Sequence, residues 1–154
     1  MYTSEEIGKN TWLILECGYD AIYYLEGDEK GLLIDTGVGA GNLKEYIDKN
    51  IASKPYDVLL THGHLDHIGA ILQYPKILVN EKDWEMVKNS ISNEDRRHFL
   101  ENMKEMSEGR VENQDSSNMI LYNGYLPELV DIADGAVINL GNRELQVHAT
   151  PGHT

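Results

Sequence analysis

Apolar and polar residues alternate along Thr11–Glu16, with Trp12 and Ile14 on one side, and Ala21–Glu26 is a second apolar and aromatic run. Both segments are expected to be strands. Gly27-Asp28-Glu29-Lys30-Gly31 supplies turn chemistry, and Leu32-Leu33-Ile34 is too continuously apolar to be solvated on one face. The pattern is an antiparallel meander whose last strand is buried. Asn42 followed by Glu45 resembles a capping box, and Leu43, Tyr46, Ile47 and Ile51 recur at helical spacing, which predicts a helix over 43–50. Pro55 closes the connection to a strand over 56–60, and the order strand, helix, strand implies a parallel pair.

Ile68, Ile71 and Leu72 form a short helical face ending before Pro75, and Ile77-Leu78-Val79 reads as another strand. From Asn80 to Met106 the pattern turns helical and highly charged. Asn80 caps a segment with Trp84 and Val87, and Ser92 caps a second with Phe99, Leu100, Met103 and Met106, a stripe expected to be a packing face. His98 is expected on the surface. Residues 109–125 lack periodicity and read as a loop. Gly141-Asn142 sits between Val137–Leu140 and the alternating Leu145, Val147 and Ala149, a hairpin pattern.

The length of 154 residues and a hydrophobic content of 41% suit one domain with its own core. With 26 acidic against 13 basic residues, the formal charge of -13 argues against nucleic acid or anionic membrane surfaces as partners. Cys17 is the only cysteine, so no disulfide can form within the chain and no Cys-rich zinc ribbon is available. The acidic N-terminus lacks the basic start and apolar stretch of a signal peptide, and no run approaches the roughly 18 apolar residues of a membrane span. A cytoplasmic protein is the expectation.

The chemistry concentrates in His62-Gly63-His64-Leu65-Asp66-His67, which follows the apolar run Val58-Leu59-Leu60. Neutral imidazoles and carboxylates are the donors zinc and related divalent ions take, and four of them lie within one short loop. His62 and His64, two residues apart in extended chain, point the same way and can share a metal; Asp66 and His67 fall on the following turn. The stretch lies at the C-terminal end of a buried strand, the edge where ligand sites of open α/β sheets gather. Asp35, ending the preceding buried strand in Asp35-Thr36-Gly37, either closes a turn through its own side chain or orients a ligand imidazole from behind.

Ile34-Asp35-Thr36-Gly37, Thr61–His67 and Thr150-Pro151-Gly152-His153-Thr154 together resemble the first three signature motifs of the metallo-β-lactamase superfamily, in order and in placement at strand ends. The resemblance implies an α+β fold, the αββα sandwich, of which this chain would supply about the first half as a single domain with a helical insertion over 80–125. It further implies that His62, His64 and His153 bind a first metal and that Asp66 and His67 bind a second. Asp66 is also the candidate catalytic carboxylate, and Asp35 would support a ligand histidine. The implied activity is zinc-dependent hydrolysis of a small ester, thioester or lactone, similar to hydroxyacylglutathione hydrolases. Family members continue with a carboxylate bridging both metals and a final histidine, so an N-terminal portion of a longer hydrolase is expected, holding two, one or no ions. The alternatives are an inactive or merely metal-binding chain and a di-iron redox protein; His64, where the latter commonly carry Glu, favours hydrolysis. A half sandwich leaves an apolar sheet face open, from which homo-oligomerisation or strand exchange is expected.

Overall fold

The computed structural model describes residues 1–106 and 119–154. A mixed seven-stranded sheet runs in sequence order: β1 (Tyr2–Gly8), β2 (Thr11–Glu16), β3 (Asp20–Glu26), β4 (Gly31–Ile34), β5 (Tyr56–Leu59), β6 (Lys76–Leu78) and β7 (Glu128–Val130). The first four are antiparallel neighbours; β4, β5, β6 and β7 are parallel. Helix α1 (Leu43–Asn50) makes the β4 to β5 crossover, and its cap is built as the Asn42/Glu45 spacing requires, the Asn42 side chain accepting the Glu45 N–H at 3.1 Å. Helices α2 (Leu65–Ile68), α3 (Trp84–Ser90) and α4 (Asn93–Met106) follow. The Asn80 side chain accepts from Lys82 and the Ser92 hydroxyl from the Asp95 N–H, so both expected caps form.

Two elements escaped the hydrophobic pattern. Strand β1 is an acidic edge with a largely exposed burial pattern, so it carries no alternation to read, and β7 has only three residues. The remaining elements lie within a residue or two of their expected bounds, with three exceptions. The hairpin's second strand ends at Gln146. The helical face expected from Ile68 to Leu72 is split between α2 and a 3-10 turn at Ile71–Gln73, which puts Asp66 and His67 on a helix. The segment capped by Asn80 opens with a 3-10 turn at Glu81–Asp83 before α3. Of the expected loop over 109–125, residues 119–125 hold no helix or strand, whereas 109–118, like the side chains of Met103 and Met106, lie outside the described residues. His98 is exposed, as expected.

The strand pleat divides the core. One face carries Ile14, Ile22, Tyr24, Leu33, Val58 and Ile77 under Leu43 and Ile47 of α1, Ile68 of α2 and Val87 of α3. The other carries Leu32, with Leu25, Ile34, Leu59 and Leu78 packed around it, and is covered by Ile138 and Leu140 of the antiparallel hairpin β8 (Val137–Asn139) and β9 (Glu144–Gln146). Leu32 and Leu33 are therefore both fully buried on opposite faces of β4, which accounts for its uninterrupted apolar run. The layers are helix, large sheet and a two-stranded sheet. Beyond the hairpin's reach, Leu13 and Leu15 are half-buried and Tyr23 is 40% exposed on this second face.

A buried carboxylate organises the loop after β4. Glu16, fully buried on β2, accepts the backbone N–H groups of Val38 (2.7 Å), Gly39 (3.2 Å) and Ala40 (2.8 Å) and the Tyr2 hydroxyl (2.9 Å). The loop lies flat on the end of α2: a Cβ at Gly39, where φ is +73°, would stand 2.2 Å from the Gly69 carbonyl oxygen. Arg96, 1% exposed on α4, donates to that same oxygen at 2.7 Å and to the Ile120 carbonyl at 2.7 Å.

Replacing Glu16 by Ala would strand three buried amides, so Glu16→Ala is expected to cost about 3 kcal/mol or more in urea unfolding; a loss below about 1 kcal/mol would refute the anchoring role. The uncovered Leu13, Leu15 and Tyr23 strip is expected to drive self-association, so sedimentation velocity should show dimers or larger species that Leu15→Lys returns to monomer. A parent chain that stays monomeric at 100 µM, on the order of typical solution concentrations, contradicts this.

Candidate metal centre

Parallel strands β4 and β5 end side by side, and the two loops leaving them make the site. Asp35 follows β4 in a left-handed conformation (φ 64°), which Asp tolerates better than most residues. Its Oδ1 accepts the Thr61 N–H at 2.7 Å, and Oδ2 lies 2.8 Å from the Thr61 hydroxyl and 2.8 Å from His67 Nδ1. Thr36 clamps the other side, its N–H and hydroxyl both donating to the His67 carbonyl at 2.8 and 2.9 Å. Gly69 N–H donates to the Gly37 carbonyl at 2.7 Å. The Asp35–Gly37 loop thus holds the whole of α2, and with it Asp66 and His67.

These contacts fix the imidazole tautomers. The Thr61 hydroxyl has one proton, which it gives to the Asp35 carboxylate; it then accepts from His62 Nδ1 at 3.0 Å, leaving the His62 Nε2 lone pair free. His67 likewise donates from Nδ1 to Asp35, which turns its Nε2 toward Asp66. Asp35 therefore supports two histidines, one directly and one through Thr61. Thr61 opens the Thr61–His67 motif, but sequence pattern assigned it no role of its own.

Ring nitrogens of His62, His64 and His153 converge. His62 Nε2 and His64 Nδ1 are 3.0 Å apart, His64 Nδ1 and His153 Nε2 are 3.1 Å apart, and the ligand atoms of all three residues lie within 4.8 Å of one another. Tetrahedral zinc with nitrogen ligands at about 2.0–2.1 Å needs those nitrogens roughly 3.3 Å apart, close to the 3.0 and 3.1 Å spacings about His64 in this trio. Next to it, His67 Nε2 and Asp66 Oδ2 are 3.4 Å apart, a spacing that one cation could bridge. The His62 and His67 rings, with centroids 4.0 Å apart, join the two groups. A buried oxygen of Asp20, on β3, has no hydrogen-bond partner among the described residues, and Asp20 is close enough to Asp66 and His67 to feel their charges. That carboxyl group, unforeseen in the sequence, stands near this second pair.

The electrostatics differ between the groups. Burial, then the neighbouring His67 and His64, lower the pKa of His62 from its ordinary range and keep it a neutral donor. Burial also opposes charge on His67, but hydrogen bonds to Asp35 and Asp66 and their charges outweigh it and push His67 up to about 10. The hydrogen bond to His67, against the opposing effect of burial, holds Asp66 below the usual carboxylate range. Burial first, then the charges of Glu16 and Asp66, push Asp20 up to about 7.

Gly63, between His62 and His64, has a packing role. A Cβ there would stand 3.0 Å from the Met86 Cβ, so the glycine lets α3 close against the metal loop.

Several known proteins are similar to this chain. Acyl-coenzyme A thioesterase MBLAC2 from Bos taurus is 29% identical and its human counterpart 27% identical, each aligned over 99% of this chain and 59% of its own length. The probable metallo-hydrolase YqgX from Bacillus subtilis (strain 168) is 35% identical over 40% of this chain. Among solved structures, the subclass B3 metallo-beta-lactamase BJP-1 of Bradyrhizobium japonicum superposes with a TM-score of 0.62 at 20% identity, over 98% of this chain and 53% of its own. The metallo-beta-lactamase from Pontibacter korlensis gives 0.61 at 17% identity, over 96% and 60%. The chain spans about six-tenths of the length of the bovine and human relatives. The family model of the metallo-beta-lactamase superfamily matches residues 15–154, and the chain belongs to that superfamily.

Proposed function

We propose that this chain carries the metal-binding part of a zinc-dependent hydrolase that cleaves a small thioester, ester or lactone. The carrying observation is the convergence of His62, His64 and His153 within 4.8 Å, next to the Asp66/His67 pair. The thioester is favoured because the bovine and human relatives are named acyl-coenzyme A thioesterases.

His62, His64 and His153 would hold the first ion, and Asp66 and His67 a second. Zinc, when bound, supplies a Lewis acid and a hydroxide available at neutral pH, so no Ser or Cys nucleophile is needed. Asp66, half-exposed and kept ionised, accepts a hydrogen bond from the attacking water and takes up its proton. Asp35 and Thr61 would hold His62 and His67 turned so that Nε2 of each is available to an ion. Water would add to the carbonyl carbon, the carbon–sulfur bond would break, and the proton taken up by Asp66 would pass to the departing sulfur, so that the products are a carboxylic acid and a thiol.

The second group must lose a proton before it ligates. Its His67 is charged up to about pH 10 without metal, whereas an unfolded histidine titrates near 6.5, so the metal-free fold gains stability from protonated His67. That gain is complete below about pH 6.5 and is lost as pH rises towards 10. Urea unfolding in EDTA should therefore show stability falling over this window, and His67→Gln should flatten the slope. A slope that His67→Gln leaves unchanged would remove His67 as its source.

For the reaction, the zinc-loaded chain is expected to hydrolyse a generic acyl thioester, with His62→Ala lowering both zinc content and kcat/KM by at least about 100-fold. Thr61→Val, which frees the His62 tautomer, should lower zinc affinity about 10-fold or more. Iron in place of zinc together with oxygen reduction, or thioester turnover unaffected by His62→Ala, would overturn this reading.

A further inference from the structure

Helices α3 and α4 meet at Ile91-Ser92 and leave between them an open groove of about 290 Å³. Half-buried Leu65 and Phe99 form its apolar part; Asn89, Ser90, His98 and Asn102 supply polar groups around them. Leu65 connects it to the metal centre, since its chain neighbours are His64 and Asp66. Gly63, on the other side of His64, is packed against Met86 of α3, so the loop approaches α3 closely there and meets the groove at Leu65. A group seated against Leu65 is one residue from both sets of metal donors.

We infer that this groove receives the thiol-side arm of the substrate, a neutral chain in which methylene groups alternate with amides. The inference rests on the thioester reading above. A purely hydrocarbon acyl chain would desolvate Asn89, Ser90 and Asn102 without pairing them. A phosphorylated arm would enter a chain of formal charge -13, and no lysine or arginine is among the groove's described lining residues. The one carboxylate there, Asp95, already accepts a hydrogen bond from the Ser92 hydroxyl. The side-chain amides of Asn89 and Asn102 bond to no other described residue, and each offers both a donor and an acceptor, the complement of a ligand amide. Phe99 and Leu65 match the intervening methylenes. A phosphate-bearing end, where present, extends out of the open groove into solvent.

The test uses S-butyl pantetheine, a thioether with two amides that cannot be hydrolysed, titrated calorimetrically into the zinc-loaded 154-residue chain. Saturable binding is expected, weakened at least 5-fold by Asn102→Leu and by Asn89→Leu, both exposed positions, while 2-(butylthio)ethanol, which lacks the amides, binds each variant like the parent. His62→Ala should keep the thioether affinity within 2-fold. Absence of saturable binding up to 5 mM thioether, or equal affinity in both Asn variants and the parent, overturns the groove assignment. If the thioether binds with the expected variant pattern but no thioester is hydrolysed, the groove stands and the hydrolase reading fails. If thioesters are hydrolysed with a KM that neither the amide arm nor Asn102→Leu changes, the groove assignment alone fails.

Discussion

The carboxylate of Asp35 is the constraint on which the site depends. It stands at the end of β4 in a conformation with positive φ, and it spans the gap to β5 by accepting from Thr61 and to α2 by accepting from His67. Two parallel strands fix where the loops begin, but nothing in a parallel ladder fixes where the following side chains point. Asp35 does so, because its oxygens reach donors on both sides at once. The left-handed backbone that makes this reach available is one that Asp adopts at modest cost.

Around that contact the chain uses buried polar groups as fasteners. Glu16 holds Val38–Ala40 through three amides, that loop presses on Gly69 with no room for a side chain at Gly39, and Arg96 donates to the Gly69 carbonyl. Each such group loses hydration on burial, so each is favourable only while its partners stay in place. The result is a metal loop whose position is set from β2, β4 and α4 together. A helix of one turn, Leu65–Ile68, would have no stability alone.

The hairpin has two roles on the opposite face. Ile138 and Leu140 cover Leu32, and the chain leaving β9 brings His153 to within 3.1 Å of His64 across 89 residues of sequence. The trio is closed by packing that is apolar and remote from any metal chemistry. Its donors are therefore imidazoles from two layers, while Asp66 and His67, from one turn of helix, form a carboxylate–imidazole pair.

The sequence by itself determined the strands with clear alternation, the capped helices, the parallel β4/β5 unit and the clustering of His62, His64, Asp66 and His67, because each depends on spacings of a few residues. Asp35 and His153 were legible only through motifs taken together, since a lone Asp at a strand end or a His in a Pro-Gly turn has many ordinary uses. Strand β1 was hidden by its solvated edge, and Thr61, Asp20, Glu16 and Arg96 looked like unremarkable polar residues. Tertiary structure alone decided their roles: a hydrogen bond between β2 and a loop twenty residues on, or between an α4 guanidinium and the end of α2, has no local periodicity to betray it. Local pattern fixes which side chains are available, and long-range burial of polar groups fixes which way the ligand nitrogens face.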